Sequence, residues 1–261
     1  MFPLCRTEFP KDELELKSAI GAGLGPLGLD ASRVTVDGAL PALAELRCDV
    51  SGSEFRKEHR FAVATGAVSP GFFARKVLVL CENGRFSGAG FSASLRIDDS
   101  VFAYGRDADR GVVLVLERCG SALLDVSVHR SGLERMLFDL AAAAAEEQGA
   151  EMKGMSLHWE QQNPQAVAFR IEARAKAMFV ETRVSATGRV AIDDAMQITI
   201  SGLTVSGEGM MGNLAATMLR KEIPKYEGRS FSLGGILPGG LRLKSIALRC
   251  EPEALSVHAT A

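Results

Sequence analysis

The 261-residue chain predicts an α+β fold, mostly antiparallel sheet, built as two similar halves. Two patterns carry this reading. Helical spacing begins near residue 11 and again at residue 131. After each start, apolar residues recur at every second position, which is the period of a strand with one buried face. The composition agrees: 47% hydrophobic and 24% charged residues suit a folded globular chain.

The first helix is expected over 10–24. Pro10 suits a first turn, and Leu14, Leu16, Ile20 and Leu24 supply the apolar positions. Gly21, Gly23 and Gly25 weaken its end. Strands follow at 33–37, 44–50, 61–65, 77–82, 86–97, 112–118 and 123–129. Pro70-Gly71 reads as a turn, and Asp98-Asp99 as another.

The second helix is expected over 131–148. Ser131 with Glu134 reads as a capping box, and Leu133, Met136, Leu137, Leu140, Ala141 and Ala144 form one apolar stripe. Gly149 suits the residue just past its end. Val167, Phe169, Ile171 and Ala173 then alternate with polar or small residues, and a weaker strand runs from Phe179 to 184. Val190, Ile192, Met196, Ile198 and Ile200 continue the alternation. A shorter helix over 210–222 uses Leu214, Ala215, Met218 and Leu219, and Pro224 ends it. Leu241 and Leu243 share one parity while Ile246 and Leu248 take the other, so a bulge is expected near Lys244-Ser245. Leu255, Val257 and Ala259 close the chain. The halves are therefore 1–129 and 130–261.

Several function classes find no support in the residues. Lys and Arg number 30 against 32 Asp and Glu, and aromatics are 6%, so no nucleic-acid partner is expected. His59, His129, His158 and His258 have no metal-ligand spacing, and no CxxC pair exists, so neither metal nor cofactor is expected. There is no G-x-S-x-G elbow and no Walker sequence. Gly23 to Gly28 matches G-x-G-x-x-G, but the run follows a helix instead of a strand and contains Pro26, so it reads as a helix end and turn. The acid pairs Asp98-Asp99, Asp193-Asp194 and Glu146-Glu147 do not converge on one cleft. No catalytic residue is assigned, and the chain is not expected to be an enzyme. An enzyme site assembled only in three dimensions stays open as a third reading.

The five cysteines are widely spaced and read as free thiols of a reducing compartment; a long-range pair such as Cys119 with Cys250 also stays open. The N-terminus has no leader pattern and no apolar run reaches a membrane span, which predicts a cytoplasmic chain. A chain trimmed at its N-terminus would belong to the cell envelope instead.

Two apolar features point toward ligands. Methionines gather in the second half: Met136, Met152, Met155, Met178, Met196, Met210, Met211 and Met218. Their flexible thioethers suit a surface that accepts variable shapes. The second feature is the run 69–76. It sets Phe72 and Phe73 beside Arg75 and Lys76, the pairing expected of a peripheral membrane contact with anionic headgroups.

The closing residues add a resemblance. The run Ile198-Thr-Ile-Ser-Gly-Leu-Thr-Val-Ser-Gly leads into a short helix. It is followed by Phe231-Ser-Leu-Gly-Gly-Ile-Leu-Pro-Gly-Gly-Leu-Arg-Leu, a strand, a turn and a last strand. This order resembles the LmeA-like phospholipid-binding family, related to the tubular lipid-binding (TULIP) superfamily. The resemblance implies curved antiparallel sheets wrapped around long helices, with acyl chains held between them, and it supplies no catalytic residue.

The reading reached is non-enzymatic binding or transport of a lipid or other apolar ligand in a groove between helix and sheet. Leu133, Met136, Leu137 and Leu140 would face the ligand from the helix. Phe169, Ile171, Met196 and Ile198 would line the sheet wall, and Leu214 and Met218 would close one end. The alternative is a structural or protein-interaction module of the same fold with a filled core. Empty volume between helix and sheet separates the two.

Overall fold

The computed structural model describes residues 1–55, 65–86, 88–147, 149–177, 180–193, 197–225, 227–232, 241 and 244–261. The fold is mixed α+β, mostly sheet, with three α-helices among the described residues and open sheets. The chain divides into two compact units. Of the described residues, the first unit holds those of 1–127, Leu241, Lys244, Ser245 and 258–261; the second holds those of 128–234 and 246–257. The break falls between Ser127 and Val128. The expected second half, 130–261, is not one piece, because its C-terminal residues are shared out between the units.

The first unit contains β1 (Phe2–Pro3), α1 (Glu13–Leu24), β2 (Val34–Ala39), β3 (Ala42–Asp49), β4 (Glu54–Phe55), β5 (Thr65–Phe86), β6 (Ala89–Asp107), β7 (Gly111–Arg118) and residues 121–127 of β8 (Ser121–His129). Helix α1 starts three residues later than expected because Asp12 caps it. The Asp12 carboxylate accepts from the Glu15 N–H, and the Glu15 carboxylate accepts from the Lys11 N–H. Its sheet-facing residues Leu16, Ala19, Ile20 and Leu24 are buried.

The strands run in the order β8-β6-β5-β3-β2, with β7 beside β6 and carrying β1, and β4 beside β5. The pairs β3–β5 and β4–β5 are parallel. This corrects the expectation of purely antiparallel sheets: the connection from β3 to β5 is a crossover and not a hairpin. Leu4, Leu16, Val34, Leu43, Phe72, Val77, Ile97 and Val112 belong to one continuous buried cluster. On β8, Ala122 exchanges backbone hydrogen bonds with Ala261.

Strands β5 and β6 each correct one sequence expectation. Strand β5 runs for 22 residues straight through Pro70-Gly71. The register against β6 shifts between Pro70 and Phe72, and such an irregularity tolerates a residue without an N–H. Gly71 is needed there, since a Cβ would stand 2.7 Å from the Phe102 carbonyl oxygen. Likewise, Asp98-Asp99 lies inside β6, with Asp99 at φ 50°. The expected strand at 61–65 lies, apart from Thr65, outside the described residues.

The second unit contains α2 (Arg130–Glu146), β9 (Ala150–Asn163), β10 (Ala166–Ala177), β11 (Val180–Ile192), β12 (Gln197–Gly207), α3 (Gly209–Arg220) and β13 (Ser230–Ser232). It also holds residues 246–257 of the final strands β14 (Ser245–Cys250) and β15 (Ala254–Thr260). Strands β9 to β13 form an antiparallel five-stranded sheet in sequence order. Helix α2 has 17 residues, whereas α1 and α3 have 12 each.

The expected capping box at Ser131 does not form. The helix begins at Arg130, so Ser131 already lies in its first turn. The Arg130 N–H reaches the Glu253 carbonyl at 2.9 Å, and its guanidinium meets the Glu253 carboxylate at 2.8 Å. Glu134 serves the neighbouring strand instead, accepting from the Leu157 N–H at 2.8 Å.

Candidate ligand-binding face of the second unit

The register of β9 to β12 sorts side chains into two faces. Directly paired residues point the same way, so Trp159, Phe169 and Gly188 share one face, as do Leu157, Ile171, Ala186 and Val205. Val190, Ile200, Ile192 and Ile198 continue it. This face is apolar because the sequence alternates with period two. The other face carries His158, Glu160, Arg170, Glu172, Thr187 and Arg189.

The apolar face is only partly closed. Leu157, Val167 and Ile192 are buried, while Trp159, Phe169, Ile171, Val190, Ile198, Ile200, Leu203 and Val205 are half-buried. At one end, side chains of the face hold strand β14 and its turn. The Gln161 amide donates to the Leu248 carbonyl and accepts from the Cys250 N–H, and the Trp159 indole N–H donates to the Glu251 carbonyl at 2.9 Å. At the other end α3 is seated through glycines. A Cβ on Gly207 would strike the Gly212 carbonyl, and one on Gly212 would lie 2.7 Å from Thr182 Oγ1.

Helix α2 packs chiefly on β9, the edge strand. None of its residues is buried. Leu133, Met136 and Leu137 are half-buried, and Leu140 is 63% exposed. Phe169, Ile171 and Ile198 lie together on the sheet face. Met196, like Met178, lies outside the described residues. Leu214 and Met218, expected to close one end of a ligand site, are 56% and 55% exposed, because α3 turns Gly212 and Ala216 inward instead.

The expected membrane contact at 69–76 is corrected. Phe72 is 3% exposed and stacks on Phe102 with ring centroids 4.8 Å apart, inside the first unit's core. It cannot reach a lipid surface from there. Phe73 is half-buried, Arg75 is exposed, and Lys76 pairs with Glu45 at 3.3 Å. The misreading follows from the turn assigned to Pro70-Gly71, which placed a strand interior on a loop.

Trp159, Leu157, Leu203 and the half-buried Phe138 were missed. Phe138 was legible, since it follows Glu134 by four residues on the helix. Trp159 and Leu157 alternate with His158 in a strand that the period-two pattern signals weakly amid Glu and Gln.

Two hollows among the described residues lie away from α2. One, of about 770 Å³, opens on the polar side of the β9–β11 sheet around His158, Glu160, Arg170 and Arg189. The other, of about 700 Å³, lies by Cys5, Arg6, Lys11 and Arg110 in the first unit. Among the described residues no three His, Cys, Asp or Glu side chains gather as a metal site. No described helix is long and apolar enough to cross a membrane. All five cysteines are free thiols. Burial pushes the Cys250 thiol up in the second unit, and that of Cys48 up to about 11 in the first. No family model, curated protein or solved structure matches the chain.

Proposed function

We propose that the second unit binds a lipid-like, apolar ligand without catalysis, laid along the apolar face of its sheet beside α2. The supporting observation is the half-burial of that face. Trp159, Phe169, Ile171, Ile198 and Ile200 are too apolar to be left wet at no cost, yet none is closed over. Covering them gains about 25 cal/mol per Å² of apolar area removed from water. An acyl chain adds about 0.8 kcal/mol for each methylene it buries, so affinity needs no polar recognition. The resemblance of the closing segment to the LmeA-like family points the same way, and a TULIP-like wrapping of sheet around helix is the arrangement it proposes. The ligand-facing residues are Leu133, Met136 and Leu137 of α2 with Trp159, Phe169, Ile171 and Ile198 of the sheet.

Native mass spectrometry of the purified protein tests this, paired with solvent extraction and lipid analysis. A bound species of acyl-lipid mass is expected, and it should be depleted in Ile171→Asp. Protein that is ligand-free as isolated and binds no added fatty acid or phospholipid would overturn the reading in favour of an interaction module with a filled core.

A further inference from the structure

Helix α3 is amphipathic in the reverse sense. Its inward residues are the small ones, Gly212 and Ala216, which let the helix backbone approach β11 and β12. Its large apolar residues point outward: Met210 is 86% exposed, Leu214 56% and Met218 55%. They stand four residues apart and so form a single stripe, and Lys221 continues it one turn on.

The charges at that end are arranged in favour of cations. Glu222 is engaged by Lys225 at 2.6 Å, and the Glu227 carboxylate accepts from the Gly202 and Leu203 N–H groups at 2.8 and 2.9 Å. Arg220 donates to the Val205 carbonyl and keeps its charge at the helix end. The Lys221 ammonium makes no hydrogen bond or ion pair with a described residue.

We infer that α3 is a peripheral membrane-docking helix, with Met210, Leu214 and Met218 entering the acyl boundary of an anionic bilayer and Lys221 at headgroup level. The stripe has the makeup of an interfacial helix: an apolar row ended by a cation whose methylene stem can follow it into the interface. A second copy of the chain is the poorer occupant. The stripe offers three apolar side chains, whereas each partner gives roughly 800 Å² and about 20–30 residues to a standard interface. The inference stands on α3 alone and goes beyond ligand binding on the sheet.

The test is co-sedimentation of the full chain with vesicles of phosphatidylcholine, and of phosphatidylcholine mixed with phosphatidylglycerol. Binding to the mixed vesicles is expected, weakened by salt. Leu214→Glu should lower it by about tenfold or more, and Lys221→Glu should weaken binding to mixed vesicles only. Both side chains face solvent, so the circular dichroism spectrum should not change. Lipid occupancy by native mass spectrometry should also be unchanged in both variants, which separates this test from that of the ligand-binding face. The inference is overturned if wild type binds neither vesicle or if both variants bind as wild type does. It is also overturned if light scattering shows a dimer that Leu214→Glu dissolves.

Discussion

The two units spend similar sequence patterns differently. In the first, α1 buries Leu16, Ala19, Ile20 and Leu24 against a sheet whose inward residues are closed over. In the second, the longer α2 buries nothing fully, and the sheet face beside it stays half open. Both helices follow apolar spacing, so periodicity does not distinguish them. Each packs on an edge strand, α1 on β2 and α2 on β9; what differs is depth, since α1 presses its apolar residues into a shared buried cluster and no residue of α2 is buried. An amphipathic element signals that something covers it, not whether the cover is protein or ligand.

The comparison breaks most visibly in the cores. Leu16→Ala, at a residue with no exposed area, should cost about 3 kcal/mol in denaturant unfolding. Ile171→Ala in the half-open face should cost about 1 kcal/mol or less in lipid-free protein, and more once ligand is bound. Equal costs in the lipid-free state would show that the second core is as closed as the first.

Cys48 gives the first unit an alkaline signature. Burial raises the Cys48 thiol to about 11, above its ordinary value of 9.0. The folded state thus holds its proton where the unfolded chain has lost it. That contribution is whole below pH 9 and is lost as pH rises toward 11, about 2–3 kcal/mol in all. Unfolding measured across this range should show the loss, and Cys48→Ala should flatten it.

The joint between α2 and its edge strand gives a smaller effect. Leu157 is 3% exposed and its N–H is taken by Glu134. Glu134→Ala leaves that donor unpaired and should cost about 1–2 kcal/mol, with faster amide exchange at Leu157.

The smallest effect is acidic. Hydrogen bonds from Ser51, then Arg33, hold the Asp49 carboxyl below its usual range. Its contribution is present above the ordinary carboxylate pKa and lost as pH falls through the lowered one. Because the pair is exposed, Asp49→Asn should shift acid unfolding by well under 1 kcal/mol.

Sequence reading placed part of the second unit's sheet, though not β9, because that sheet is a meander. Each strand there pairs with its neighbour in sequence, so alternation alone places Phe169, Ile171 and Ile198 on one face. It failed on β5, where Pro70-Gly71 has the composition of a turn but is absorbed as a register shift within a long strand. It also failed on α3: spacing identified the helix and its apolar residues, yet assigned Leu214 and Met218 to the inside. Glycine and alanine carry no hydrophobic signal, so a close backbone approach through Gly207, Gly212 and Ala216 cannot be seen in periodicity.

By itself, then, the sequence determined the three helices and, where alternation is clean as in β10, which residues of a strand share a face. Those properties follow from spacing along the chain. Only the tertiary structure decided that β3 and β5 run parallel, that Phe72 belongs to a core, and that the apolar face of α3 looks outward. Each of these depends on which surfaces meet, and contacts between residues far apart in sequence leave no trace in local periodicity.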